Sequence, residues 1–204
     1  MSNKTLVMLG AGGHAKVCYD IAQKMNKWNK IIILDDNQKN DYFEISGQLS
    51  DVHQYPLAEF FVAIGDNKIR KELINNLQNK KYHIASLIHP SAIISETVSI
   101  KEGTVIMPSV VINADTRIGE GCILNTSCSV DHDNNIGDYV HISPGVNLAG
   151  NVKIGTLAWI GIGATVINNV YIDCENIIGA GAVVAKKIEG QGIYVGIPAK
   201  KIEE

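Results

Sequence analysis

The triplet Asp131-His132-Asp133, a histidine between two carboxylates, is the clearest candidate for chemistry in this sequence. An adjacent carboxylate holds an imidazole in one tautomer and raises its basicity, which prepares a general base. A lone surface histidine is usually inert, however, and an exposed corner of a fold tolerates any polar residue. Whether the triplet is a catalytic base or a solvated turn therefore has to be judged from the elements around it.

The triplet lies inside a six-residue repeat. Aliphatic residues occupy every sixth position from Ile88 to Val184 without a break. This period is the hexapeptide signature of a parallel β-helix, in which three hexads form a coil of 18 residues, and it fits neither an α-helix nor a coiled coil. The repeat predicts about five coils. Glycines that directly follow the aliphatic residue predict turns; they are Gly119, Gly137, Gly155, Gly161 and Gly179.

The repeat also predicts the surroundings of His132. Positions 130 and 134 point inward, so residues 131–133 fall on an outward corner. Gly150 lies one coil further along, and adjacent parallel strands are about 4.8 Å apart. We therefore expect the Gly150 amide to lie over His132 without an intervening side chain. A base beside a bare N–H suits acyl transfer.

The other histidines and the cysteines carry weaker signals. His141 falls outward on a face with Trp159 one coil on, where an inert surface histidine and a functional one are about equally plausible. His53, His83 and His89 have no such neighbours, and no role is predicted for them. The cysteines lack the spacing of a metal site or a disulfide framework, so no metal is expected.

Residues 1–85 have a different pattern from residues 86–204. Buried strands TLVMLG, IIILDD and EFFVAIG alternate with the helical segments VCYDIAQKM and NKIRKELINNLQNKK. This order predicts a small α/β Rossmann-like domain ahead of the β-helix. The segment KKIEGQGIYVGIPAKKIEE loses the period and predicts a short C-terminal capping tail.

The segment GAGGHA, residues 10–15, matches the GxGxxG/A fingerprint between a strand and a helix, and its amides suit a phosphate. A structural glycine turn is the alternative. A domain of about 85 residues holds only about one mononucleotide-binding half, which favours a nucleotide sugar over NAD. Asp35 and Asp36 end the second strand, where they could bind ribose or uracil or could equally cap the following turn.

Composition and charge argue against nucleic acid or a membrane as a partner. The net charge is −3 without runs of Lys or Arg, which argues against wide contact with nucleic acid. No apolar run approaches the 18 or so residues of a membrane span, so no membrane insertion is expected. The N-terminal residues show no export signal, and we expect a cytoplasmic protein with reduced cysteines.

Segments along nearly the whole chain resemble the left-handed β-helix acyltransferases of the sialic acid O-acetyltransferase type, in particular bacterial UDP-4-amino-sugar N-acetyltransferases of bacillosamine biosynthesis. The segments are LGAGGHAKV, LDD, FFVAIGDNKIRK, LIHPSAIIS, ILNTSCSVDHD, AGNVKIG and YVGIPAKKI. The resemblance implies a homotrimer with acetyl-CoA between subunits and a nucleotide sugar on the N-terminal domain.

The resemblance also implies roles for particular residues. His132 is the general base, and Asp133 is its modulating acid at a position where the bacillosamine enzymes have a glutamate. The implied acetyl-CoA contacts are His141, Gly150, Ile162 and Ala180. The implied nucleotide-sugar pocket consists of Gly12, Gly13, His14, Asp35, Asp36 and Gly65.

We therefore predict transfer of acetyl from acetyl-CoA to the C4 amine of a UDP-linked 4-amino-4,6-dideoxy sugar, with His132 as base and the Gly150 amide holding the oxyanion. O-acetylation of a sialic acid, or N-acetylation of another nucleotide-linked amino sugar such as perosamine, is the alternative. A nucleotide-sugar oxidoreductase is opposed by the lack of a full dinucleotide domain. A purely structural β-helix is opposed by the varied outward residues.

Overall fold

The computed structural model describes residues 4–202, and the chain divides into two compact units, Met1–Pro90 and Ser91–Glu204. The boundary predicted from the sequence falls a few residues earlier. Within residues 4–202, no helix has the length and apolar character that a membrane crossing requires.

The first unit is a parallel sheet with two long helices. Its elements are β1 (Thr5–Leu9), α1 (Gly13–Met25), β2 (Lys30–Leu34), a 3-10 helix (Leu49–Gln54), β3 (Glu59–Val62), α2 (Asn67–Asn79), β4 (His83–Ile84) and β5 (Leu87–Ile88). The strand order β2-β1-β3-β4 is parallel throughout. Such strands are apolar on both faces because helices cover parallel sheets. This arrangement confirms the predicted Rossmann-like domain.

Local signals explain where the two helices begin and end. The Asp66 carboxylate accepts hydrogen bonds from the N–H groups of Lys68 and Ile69, both at 2.9 Å, and so caps the start of α2. Helix α1 starts after Gly12 without a side-chain cap, and it ends at Met25, where the C-cap residue Asn26 has a left-handed φ of 50°.

The second unit is a left-handed parallel β-helix, as predicted. Its short strands are β6 (Ile93–Ile94), β7 (Ser99–Ile100), β8 (Val105–Ile106), β9 (Val111–Ile112), β10 (Arg117–Ile118), β11 (Ile123–Leu124), β12 (Ser129–Val130), β13 (Asn135–Ile136), β14 (His141–Ile142), β15 (Asn147–Leu148), β16 (Lys153–Ile154), β17 (Trp159–Ile160), β18 (Thr165–Val166), β19 (Tyr171–Ile172), β20 (Ile177–Ile178), β21 (Val183–Val184), β22 (Ile193–Val195) and β23 (Lys200–Lys201).

These strands form three faces of a prism. Face 1 is the ladder β6-β9-β12-β15-β18-β21, face 2 is β7-β10-β13-β16-β19, and face 3 runs from β8 through β11, β14, β17 and β20 to β22 and the antiparallel β23. The β12–β15 register pairs Val130 with Leu148, one 18-residue coil apart. The hexad aliphatic residues from Ile106 to Val184 are all at most 3% exposed and form the core.

The corners of the prism repeat as regularly as its core. Every sixth residue from Gly103 to Gly181 has a left-handed φ, between 56° and 72°. Gly, Asn and Asp adopt this conformation most readily. Asp133, with φ 59°, occupies one of these corners, so its residue type has a backbone reason as well as a chemical one.

The glycines that follow the hexad aliphatic residues are required for a reason other than the predicted one. We predicted turns at Gly119, Gly137, Gly155, Gly161 and Gly179, but none of them has a positive φ. A Cβ at Gly119 would stand 2.6 Å from the backbone nitrogen of Asp138, and one at Gly155 2.5 Å from that of Cys174. The left-handed residue comes two positions later. The chain does turn where predicted, because the carbonyls of Gly155, Gly161 and Gly179 accept hydrogen bonds from the N–H groups three residues later. The reason for glycine is different: the close approach of the next coil excludes a side chain.

Candidate active site

His132 and Asp133 lie at the corner between faces 1 and 2, directly after β12. Nδ1 of His132 is 2.7 Å from Oδ2 of Asp133. This hydrogen bond is the main cause that raises the pKa of His132, and the charge of Asp131 adds to it. With Nδ1–H donating to the carboxylate, the lone pair of a general base is on Nε2. Both side chains are 58% exposed, so a substrate can reach them.

Gly150 lies against the His132 ring, as the repeat predicts. A Cβ at this position would stand 2.6 Å from Cε1 and 2.7 Å from Nε2 of His132, so only glycine leaves room for the ring. The N–H of Asn151 donates to the carbonyl of His132 at 2.9 Å, which joins the two coils. Within residues 4–202, no group accepts a hydrogen bond from the Gly150 N–H.

Two asparagines that the sequence analysis did not single out, Asn134 and Asn113, hold this corner. Asn134 is 1% exposed, and its Nδ2 donates to the carbonyls of Asp131 at 2.7 Å and Ala149 at 3.0 Å. The Asp131 carboxylate accepts from Asn113 Nδ2 at 3.0 Å and from the His132 N–H at 2.9 Å. These two bonds lower the pKa of Asp131. An asparagine at an inward position of an apolar repeat was the signal that could have revealed the anchor.

His141 lies on face 3, apart from this corner. Its ring stacks on that of Trp159, with centroids 5.8 Å apart and planes at 5°. Asn125 Nδ2 lies 3.2 Å from His141 Nε2, and Trp159 Nε1 donates to Ser143 Oγ at 2.8 Å. Face 2 separates His141 from His132 along the coil.

Ile162 and Ala180 lie at a third place, the corner between faces 3 and 1. They are one coil apart, and the N–H of Gly181 donates to the Ile162 carbonyl at 2.8 Å. Both residues are exposed. The structure therefore brings Gly150 to His132 and Ile162 to Ala180. Within one chain, the four residues implied for acetyl-CoA do not form one cluster.

The glycine loop follows β1 at the carboxyl edge of the first unit's sheet, the edge where ligands of open α/β sheets bind. Gly10 has φ 107°, and a Cβ there would stand 3.0 Å from the Ala63 carbonyl oxygen, so the tight turn requires glycine. In contrast, a Cβ at Gly12, Gly13 or Gly65 would meet nothing within 4 Å. The loops after β1 and β3 therefore leave open space at this edge.

Asp35 and Asp36 accept hydrogen bonds from backbone N–H groups, and one of these bonds, from Asn37 to Asp35, lies in the turn that follows β2. The Asp35 carboxylate accepts from the N–H groups of Ala11 and Asn37, both at 2.7 Å. Asp36 Oδ1 accepts from the N–H of Leu49 at 3.0 Å. The Ala11 amide is thus already used within the chain. A carboxylate has lone pairs beyond these, and the role of both aspartates toward a nucleotide stays a prediction.

His14 lies in the first turn of α1 and is half-buried. Burial, together with the positive charge of Arg70, lowers its pKa to about 4. Arg70 is 1% exposed, and its Nη1 donates to the carbonyls of Ile64 at 3.0 Å and Gly65 at 2.9 Å. A buried guanidinium therefore organises the loop after β3. The sequence analysis did not single out Arg70, because an arginine in a polar helix is ordinarily exposed.

The described residues give no metal centre. From residue 4 to residue 202, no three His, Cys, Asp or Glu side chains are grouped so that they could hold a metal ion. The four cysteines form no disulfide.

Comparison with known proteins identifies relatives of both units. The family described as the PglD N-terminal domain matches residues 5–77. The UDP-N-acetylbacillosamine N-acetyltransferase of Bacillus subtilis (strain 168) is 38% identical over 112 residues, which make up 50% of this chain and 51% of the relative. The match thus spans about half the length of that curated relative.

Two solved structures match over nearly the whole chain. The acetyltransferase domain of PglB from Neisseria gonorrhoeae FA1090, in complex with acetyl coenzyme A, has a TM-score of 0.95 and 34% identity, covering 98% of this chain and 100% of that one. A histidine-to-alanine mutant of GDP-perosamine N-acetyl transferase from Caulobacter crescentus, in complex with CoA and GDP-perosamine, has a TM-score of 0.93 and 35% identity, covering 98% and 97%.

Proposed function

The chain belongs to the left-handed β-helix sugar acetyltransferases with a PglD-type N-terminal domain, and we propose that it transfers acetyl from acetyl-CoA to the C4 amine of a UDP-linked 4-amino-4,6-dideoxy sugar. One observation carries this proposal. An exposed imidazole is oriented by a carboxylate at 2.7 Å and faces a glycine whose N–H has no acceptor among the described residues.

The chemistry follows from this geometry. The amine attacks the thioester carbonyl while His132 Nε2 takes its proton, as a base whose Nδ1–H is held by Asp133. The Gly150 N–H donates to the oxyanion of the tetrahedral intermediate. The C–S bond then breaks as coenzyme A leaves, and His132 returns the proton to the departing thiolate. The products are the N-acetylated sugar and free coenzyme A.

The comparisons support both substrates. The Neisseria structure contains acetyl coenzyme A, and the Bacillus relative is named for a UDP-linked sugar. The Caulobacter structure contains GDP-perosamine, and this observation favours a GDP-linked 4-amino sugar as the second candidate. In both cases we place the nucleotide at the open glycine loop, with contributions from Gly12, Gly13, His14 and Gly65.

We also propose a homotrimer that holds acetyl-CoA between subunits, in the cytoplasm. His132 stands at the corner between faces 1 and 2, and His141 stands on face 3. One side of the prism has six residues and is about 20 Å long before corners shorten it, too long for both histidines of one chain to touch one thioester. Face 3 and its corner also expose Trp159 and Ile162, which are 47% and 58% exposed. Closed threefold symmetry would create three equivalent sites.

A substrate screen tests the activity. The purified protein is given acetyl-CoA with a UDP-linked 4-amino sugar, GDP-perosamine or a sialic acid, and thiol release is measured. We expect release with a nucleotide 4-amino sugar and none with sialic acid.

A histidine variant then tests the mechanism. His132→Ala should lower kcat by about 10² to 10⁴ and leave acetyl-CoA affinity nearly intact. His53→Ala, which changes an exposed histidine without an assigned role, is the matched control. Near-normal turnover of His132→Ala would remove this residue from the mechanism.

A further inference from the structure

Cys18 contacts His14 from the next turn of α1. Its Sγ lies 3.4 Å from Nε2 of His14, and its side chain is fully buried at 0% exposure. Residues four apart share one face of a helix, so the thiol lies directly under the imidazole. Both residue types have weak helix propensity, so the formation of α1 does not depend on them.

The protonation states determine which group donates. Burial raises the pKa of the Cys18 thiol far above its ordinary range, so the sulfur keeps its proton. Burial and the Arg70 charge lower the pKa of His14 to about 4, so the imidazole is neutral and has one lone pair. Sulfur is a weak acceptor, whereas an imidazole nitrogen is a good one. The favoured bond therefore runs from S–H to Nε2, which leaves the ring proton on Nδ1.

The Nδ1–H group is accessible to a ligand. Among the described residues no group hydrogen-bonds to Nδ1, and the His14 side chain is only half-buried. Gly12 and Gly13, which precede His14, leave the adjacent surface open. A neutral N–H donor beside an open glycine loop matches an acceptor oxygen of a nucleotide.

We propose that Cys18 is a positioning residue for substrate binding: its S–H bond to Nε2 holds His14 as the Nδ1–H tautomer, which donates to an oxygen of the nucleotide sugar. This inference rests on the proposed function. It assigns His14 the role of a hydrogen-bond donor that contributes no positive charge. The nucleotide's negative charge is then balanced by the start of α1, where no acidic residue occupies the first turn.

Three variants separate this role from a packing role. Cys18→Ala removes the donor, Cys18→Ser restores one, and Cys128→Ala is a matched control because Cys128 is equally buried at 0% exposure. We expect Cys18→Ala to raise the KM for the UDP-linked 4-amino sugar about twofold to fivefold, because only the roughly one half to one fifth of His14 rings left as the Nδ1–H tautomer can then bind it. The KM for acetyl-CoA should not change. Cys18→Ser should lie near the wild type, and Cys128→Ala should leave the sugar KM unaltered.

Nitrogen-15 NMR of the His14 ring tests the tautomer directly in the wild-type protein. We expect a protonated Nδ1 and an unprotonated Nε2, with both tautomers populated in Cys18→Ala. A wild-type ring protonated on Nε2 would overturn the inference, as would a Cys18→Ala variant that melts normally and has a wild-type sugar KM. If the wild type acetylates no nucleotide sugar, the proposed function fails, and the NMR result still decides the tautomer separately.

Discussion

Gly150→Ala adds one methyl group against the proposed base. The glycine has no left-handed φ, so alanine fits its backbone, and the N–H that we assign to the oxyanion is retained. The new Cβ would stand 2.6 Å from Cε1 of His132, about 0.8 Å short of the 3.4 Å at which ordinary contact begins. The ring must move by roughly this distance. A displacement of about 1 Å costs on the order of 10²-fold in rate, and we expect kcat to fall by about 10².

A double-mutant cycle assigns this loss to the ring. Turnover is followed by thiol release in the wild type, Gly150→Ala, His132→Ala and the double variant. Without the imidazole, the added methyl group has nothing to displace, so Gly150→Ala should cost little in the His132→Ala background. The two changes should therefore be strongly non-additive, as expected for residues in contact.

Two results would contradict this reasoning. A Gly150→Ala variant with wild-type kcat would show that the exact place of the ring does not limit the reaction. A loss of about 10² that persists without the imidazole would mean that the methyl group acts on acetyl-CoA or the oxyanion, and not on His132. The KM for acetyl-CoA, measured in all four proteins, shows whether the methyl group weakens acetyl-CoA binding.

Four further predictions address the acid, the interface and the nucleotide. Asp133→Asn removes the main cause of the raised pKa of His132, so the acidic limb of the pH–rate profile should move to lower pH. An unchanged acidic limb would mean that Asp133 only shapes the corner and does not tune the base. Mixing His132→Ala with His141→Ala subunits should give activity above the sum of the two variants, because some interfaces regain both histidines. If mass measurement confirms that subunits have exchanged and activity still does not rise, a site shared between subunits is refuted. Replacing Asp35 and Asp36 by Ala should raise the KM for the nucleotide sugar alone, whereas equal effects on acetyl-CoA would contradict the division between domains. A UDP sugar should raise the melting temperature by binding the native state, and protection by NAD would instead revive the oxidoreductase alternative.

The repeat made much of the second unit predictable from the sequence. In a β-helix each residue contacts the one a single coil further on, so spacing along the chain becomes spacing in the structure. For this reason the core, the outward corner at His132 and its contact with Gly150 all followed from counting. The strand–turn–helix order of residues 1–85 likewise predicted the parallel sheet, because apolar runs and glycine turns are local signals.

Only the tertiary structure decided which side chains bond to one another. It showed that Asn134 anchors the corner at His132, that Asp35 is bonded to the Ala11 amide, and that Cys18 lies under His14. It also changed the reason for the glycines after the aliphatic residues, from a turn to the close approach of the next coil. Periodicity determines which way a residue points, but a hydrogen bond depends on side-chain rotamers and on backbone distances between separate segments. Those distances are set only when the chain has packed.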